Sequence, residues 1–291
     1  MVEGADRPAL LQRQLKQAGV RSQLLELAGG RFLLAWPKQN RRDEACRQKI
    51  FTAHHDRVAG TPGALDNSAA ILQLFNYLVS GRPAVNTLVI FTDREELSGT
   101  AVEEQGSWVL GQAFAGMGYK KPLVFSLDVC GRGDTLLLSS AAETLRARVV
   151  ELNPTEEDLH QHSASAVQQV AEEVKQLSDG LQRLLGSSLP VRRARVPFGE
   201  DLGFLCAGQT ALVLTVLPRA EYESLTGFSF DADTAAPLPP WASLRVPGIP
   251  DTWRYLHSAE DRPNLYTADA FALIAKTLDA LGRWRLPVYL N

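Results

Sequence analysis

Cysteine is scarce in this 291-residue chain: Cys46, Cys130 and Cys206 are an odd number, widely spaced and without a C-x-x-C pair. That pattern gives neither a disulfide framework nor a thiolate metal site, and it fits a reducing cytoplasm. Net charge is small as well, with 30 Lys and Arg against 33 Asp and Glu leaving −3. No basic run is longer than a pair such as Arg41-Arg42 or Arg192-Arg193, so no field for gripping a phosphate backbone exists. This argues against nucleic acid as a partner. No stretch approaches 18 consecutive apolar residues, and the opening MVEGADRPALLQRQLKQAG lacks the basic-then-apolar order of a signal segment. The sequence predicts a chain that neither spans a membrane nor is exported. Internal repeats and low-complexity tracts are also missing.

What is present is an alternation of apolar runs and helical patterns, the signature of βα units around a largely parallel sheet. Residues 8–18 read as a helix with proline in its first turn. QLLELA and RFLLAW flank Gly29-Gly30 and suggest a hairpin on the antiparallel side of the sheet. Strands are expected at 49–53, 86–92, 122–128 and 210–217. From Asn67, the positions Ile71, Leu74, Phe75 and Leu78 mark an apolar helix face that Gly81 stops. A weaker helix is expected around 108–115. Val167, Val170, Val174, Leu177, Leu181 and Leu184 form a narrow seam on a long helix, read as packing on the sheet, with a dimer contact as the sharper alternative. Thr267 can cap a last helix that buries Phe271, Ile274 and Leu278. The expected architecture is α/β, a three-layer mixed and mostly parallel sheet flanked by helices, as one domain over residues 1–291. Its irregular part is a long stretch, 218–253, holding six prolines with Tyr222, Phe228, Phe230 and Trp241.

Chemically loaded residues gather where the expected strands end, which is where open α/β sheets place ligand sites. KIFTA runs into His54-His55-Asp56, NTLVIFT into Asp93-Arg94-Glu95-Glu96, and PLVFSL into Asp128. Asp66 opens a helix, and His257 follows the proline-rich stretch. Singly, each has a plain reading: a surface or core histidine, a helix N-cap at Asp66, a solvated Glu-Glu pair, a strand end at Asp128. Together, two imidazoles and three carboxylates suit a pair of borderline divalent ions such as zinc. In a strand, residues two apart share a face, so Asp56 can accept the free N–H of His54 while His55 points away. Neighbouring residues diverge, so Glu96 can bind metal while Glu95 faces a water as general base.

The stretches AHHDRVAGTPGALDNSAAILQLF, NTLVIFTDREELSGT and SLDVCGRGD closely resemble the di-zinc aminopeptidase family that includes bacterial leucyl aminopeptidases and the glutamate carboxypeptidase and transferrin-receptor ectodomains. That resemblance implies two zinc ions per chain bridged by Asp66. One would also take His54 and Asp128, the other Glu96 and His257. Glu95 would be the base and Asp56 the partner of His54, and the peptide bond between Asp66 and Asn67 would be cis. The match is strong over residues 45–135 and looser beyond. Where the family usually has Ser-Asp-His-x-Pro-Phe, this chain has Gly199-Glu200-Asp201-Leu202-Gly203-Phe204, replacing a pocket Asp and His. His160 and His162 are rivals to His257 at the start of a polar helix, where exposure is the plainer reading. The Arg-Gly-Asp tripeptide at 132–134 reads as a turn.

The resulting expectation is a metal-dependent aminopeptidase acting on a peptide or small amide. Its rivals are glutaminyl cyclase-type acyl transfer with one zinc and a non-catalytic binding relative. The intact ligand set and Glu95 argue against the last.

Overall fold

Every residue is buried along β4 (Lys49–His54), β6 (Thr87–Thr92), β7 (Leu123–Leu127) and β10 (Thr210–Leu217). Such continuous burial is what a parallel sheet covered on both faces demands. The chain is described from a computed structural model over residues 6–96, 101–151, 159–225 and 249–288, with only the backbone described for 147–151 and 159–166. In chain order the other strands are β1 (Ser22–Leu27), β2 (Gly30–Ala35), β3 (Gln39–Arg41), β5 (Pro83–Val85), β8 (Thr135–Ser139) and β9 (Val191–Ala194). The helices are α1 (Arg7–Gln17), α2 (Ala69–Val79), α3 (Gly106–Ala113), α4 (Ala141–Glu151), α5 (Leu159–Leu185), α6 (Glu200–Cys206), α7 (Arg219–Leu225), α8 (Asp251–Arg254) and α9 (Ala268–Arg283).

Eight strands form one sheet in the order β1-β2-β6-β4-β7-β10-β8-β9, and β3 pairs with β5 apart from it. Of these, β6, β4, β7 and β10 are neighbours and run parallel to one another. The β1-β2 hairpin closes one side antiparallel, and β8 returns antiparallel to β10 on the other. Ala28 and Gly29 turn the hairpin with φ of 48° and 79°, the backbone sign that a tight two-residue connection requires. The mixed, mostly parallel architecture flanked by helices is therefore as expected. Register carries the consequence for function. Thr52 lies opposite Ser126 and His54 opposite Thr92, so the C-terminal ends of β4, β6 and β7 come level.

Helix α5 uses its seam inside the chain. Val167, Val170, Val174, Leu177 and Leu181 are all buried in the main core, while Leu184 is exposed. Each such buried side chain contributes roughly 1.5–3 kcal/mol over leaving it in water. Thr267 caps α9 by accepting from the Ala270 amide. Ile274 and Leu278 are buried as expected, whereas Phe271 is only half-buried and packs on the Tyr266 ring. Two further expectations change. The stretch 218–253 is not loop throughout: its ends form α7 and α8, because 219–225 and 251–254 are free of proline. Phe228, Phe230 and Trp241 lie outside the described residues. Asp66 is not a helix cap either, since α2 begins only at Ala69 and Asp66 has non-helical angles before it. No helix among the described residues is long and apolar enough to cross a membrane.

Lys49 is an unusual core residue. Its ammonium donates to the carbonyls of Gly282 (3.0 Å) and Trp284 at the end of α9, and it is 1% exposed. Burial pulls its pKa down from 10.5 to about 8. Between those values the unfolded chain binds the proton that the folded chain has released, so stability rises with pH through this window. Relative to Lys49→Met, the parent should gain up to about 3 kcal/mol between pH 7.5 and 10 in denaturant titrations. Parallel pH dependence in the two proteins would contradict this.

Candidate metal centre

The five expected ligands, Glu95 and Asp56 meet at one place. His54 closes β4, Glu95 and Glu96 follow β6, and Asp128 follows β7. Asp66 stands on the turn before α2, and its bond to Asn67 is cis. His257 arrives from the segment after α8, in spite of the long separation in sequence. Arg94, Val129 and His257 all have positive φ without being glycine. Backbone held in this sparsely populated region concentrates at functional sites.

Donor atoms fall into two main groups that share Asp66. His54, Asp66 and Asp128 form one, and Asp66, Glu96 and His257 the other, with the donor atoms of each group within 4.8 Å of one another. His54 Nε2 lies 3.0 Å from Asp66 Oδ1 and 3.7 Å from Asp128 Oδ1. His257 Nε2 lies 2.9 Å from Asp66 Oδ2 and 3.0 Å from Glu96 Oε2. Glu95 forms a further group with His54 and Glu96.

Asp56 sits behind the first group. Its Oδ1 is 3.4 Å from His54 Nδ1, and its Oδ2 accepts from the Glu96 amide at 3.0 Å. One carboxylate thus joins the β4 end to the β6 end. His55 turns the other way, with Nε2 2.7 Å from the Arg31 carbonyl. His160 and His162 belong to α5, in the part whose side chains lie outside the described residues.

Electrostatics favour added positive charge. Burial alone would depress the His54 imidazolium, yet the nearby carboxylates of Asp128, Asp56 and Asp66 hold its pKa well above the ordinary value. His257 behaves likewise: burial opposes, and Asp66 and Glu96 raise it to about 10. Burial pushes the Glu95 carboxyl well up, with Asp128, Glu96 and Asp66 adding to the effect and His54 opposing it. Protons on the histidines therefore do part of what a cation would do for these carboxylates. Zinc uptake would displace them.

Several donor atoms are buried without a hydrogen bond: both ring nitrogens of His54, Asp56 Oδ1, Glu96 Oε1 and Asp128 Oδ1. Buried polar atoms are normally satisfied, so a converging set of orphaned imidazole and carboxylate atoms fits a divalent cation. The Gly199 position adds a steric reason for openness here, because a Cβ would sit 2.6 Å from Asp128 Oδ2.

Some supporting residues were not apparent in the sequence. Arg7, buried in α1, donates to the His55 carbonyl at 2.8 Å, although nothing local in RPALLQ signals that contact. Glu200 and Asp201, which stand where the family usually has a pocket Asp and His, are each only 1% exposed. Glu200 accepts from Thr52 (2.8 Å) of β4 and from Thr92 at the end of β6, and Asp201 accepts from the Gly199 amide at 3.1 Å. Burial pushes both carboxyls up to about 7. The cavity that opens beside Asp128 is instead lined by Val129, Val196, Phe198, Val213, Trp253 and Leu256, among others, and is small, with a volume of about 20 Å³. The Arg-Gly-Asp turn is structural, with Arg132 paired to Glu221 of α7.

Comparison with known proteins decides the family. Residues 34–192, more than half of the chain, match peptidase family M28. The chain belongs to that family. Membership supports a metallopeptidase-like enzyme. Solved structures share its fold at low identity. A Zn-dependent exopeptidase from Parabacteroides distasonis superposes with a TM-score of 0.58 at 13% identity, covering 98% of this chain and 92% of that one. The glutaminyl cyclase of Porphyromonas gingivalis gives 0.56 at 14%, covering 94% and 87%. The LapA aminopeptidase of Legionella pneumophila gives 0.55 at 14%, covering 96% of this M28 chain, which spans 63% of LapA. A search of curated proteins finds no match.

Proposed function

We propose that the chain is an aminopeptidase that uses two zinc ions to hydrolyse the terminal amide of a peptide or small peptide-like substrate. The observation that carries this reading is the sharing of Asp66 between two donor groups, each completed by one imidazole and one further carboxylate. One ion would be held by His54, Asp66 and Asp128, the other by Asp66, Glu96 and His257. Bound there, the ions supply Lewis-acid activation of a water and of the amide carbonyl.

The chain's own residues do the rest. Asp56 holds the His54 tautomer that leaves Nε2 facing Asp66 and Asp128. Glu95 takes the proton from the attacking water and hands it to the departing amine, a role that suits a carboxyl whose pKa burial has raised. Beside Asp128, Val129, Val196, Phe198 and Trp253 line a small, half-open cavity that offers an apolar surface to a side chain of the substrate. Three free cysteines suit a reducing compartment, and we place the enzyme in the cytoplasm.

A second reading has support in the fold, since glutaminyl cyclases superpose as well as aminopeptidases do. Zinc-loaded protein assayed against leucine amide and against a peptide with N-terminal glutamine separates the two. Release of leucine is the expected result. Formation of pyroglutamyl product with no release from leucine amide would overturn the proposal in favour of acyl transfer.

A further inference from the structure

We propose that Asp261 is a positioning residue that sets the shape of the Asp66 turn and locks it to the segment carrying His257. The side chain is fully buried, with no exposure at all. Its Oδ1 accepts from the Leu65 amide at 2.6 Å, and its Oδ2 from the Asp66 amide at 3.3 Å. The Asp261 backbone carbonyl accepts from the Ala64 amide at 3.3 Å. A single residue thus takes three successive N–H groups of the turn. Tyr266 adds a fourth tie by donating its hydroxyl to the Ala64 carbonyl at 2.9 Å.

The turn needs such support from outside, because Asp66 and Asn67 have non-helical angles and α2 gives their amides no partner. On its other side the turn is tied to β7, where the Asn67 amide group donates to the Leu127 carbonyl at 2.8 Å. Asp261 therefore fixes the remaining freedom, the approach of the turn to the 257–261 segment. His257 lies four residues before it on that segment, which is braced by Ser258 donating to the Tyr255 carbonyl at 2.6 Å. The 2.9 Å approach of His257 Nε2 to Asp66 Oδ2 is the outcome. Only a carboxylate serves here. Two acceptor oxygens meet two adjacent amides, whereas asparagine would turn its NH₂ toward one of them.

This inference rests on the two-zinc reading for its effect on metal, but its structural core does not. The group of Asp66, Glu96 and His257 takes two members from the ends that Asp261 joins, and the group of His54, Asp66 and Asp128 takes one. In Asp261→Asn, affinity for the second zinc should fall by about 10- to 100-fold in chelator competition. Affinity for the first should change by less than about threefold. Equal loss at both, or no loss at either, would overturn the proposal.

Hydrogen exchange of the metal-free protein provides a test that holds whether or not two ions bind. In the parent, the Leu65 and Asp66 amides should exchange as slowly as those of β4 and β7, and in Asp261→Asn at least about tenfold faster, with the strands unchanged. Fast exchange of those two amides in the parent would overturn the proposal even if the variant does not fold. A parent that binds fewer than two zinc ions would instead defeat the two-zinc reading, leaving Asp261 to be judged by exchange alone.

Discussion

Replacing Glu95 by glutamine should lower kcat by roughly 10²- to 10⁴-fold while leaving zinc content unchanged. The amide keeps the volume of the side chain but cannot take a proton from water. In the structure Glu95 stands with His54 and Glu96, outside the two groups that share Asp66. Its loss should therefore fall on turnover and spare metal binding. Burial and the three carboxylates of Asp128, Glu96 and Asp66 raise its affinity for a proton, and His54 limits that rise. A carboxyl tuned in this way is a better base near neutral pH than an exposed glutamate. Steady-state kinetics on Glu95→Gln beside elemental analysis of the same sample checks both halves. A variant with most of its activity would remove Glu95 from the proton transfer.

Asp66→Asn should have the widest effect, because this is the one side chain that both donor groups use. One oxygen faces His54 and the other faces His257 and lies in the group with Glu96. Asparagine supplies a single neutral oxygen, so at most one ion can use it and no bridging charge remains. Zinc content should fall from two per chain to one or fewer, with activity down by at least about 100-fold. In the metal-free state His54 and His257 both hold the Asp66 carboxyl well below the usual range against the opposing effect of burial. The variant should accordingly release fewer protons on zinc uptake than the parent, measurable by calorimetry in buffers of different ionisation enthalpy. Retention of two tightly bound ions would show that Asp66 does not bridge.

The strands that position these residues could be read from local pattern alone. β4, β6 and β7 are mostly apolar runs with His54, Asp93 and Asp128 at or just past their ends, a composition that burial on both faces favours. The shared face of His54 and Asp56 followed from the period of a strand. Sheet order did not follow, because the pairing of β4 with both β6 and β7 depends on how helices pack between distant segments. The N-cap reading of Asp66 failed for a related reason. The local pattern matched a helix start, but the cis turn and the contacts from the 257–261 segment carry Asp66 toward the histidines instead. Asp261 itself sits between exposed Glu260 and Arg262 and carries no periodic signal. Glu200 stands out as an unusual residue in the sequence, yet only the placement of Thr52 and Thr92 on the adjacent strands β4 and β6 makes it a buried support rather than a pocket wall.

The central claim is that Asp66 joins two metal positions in one site. Anomalous diffraction from crystals of the zinc-loaded protein, recorded above and below the zinc edge, tests it directly. The account predicts two peaks, one within bonding reach of His54, Asp66 and Asp128 and the other within reach of Asp66, Glu96 and His257. A single peak at saturating zinc, or two peaks of which only one touches Asp66, would contradict it.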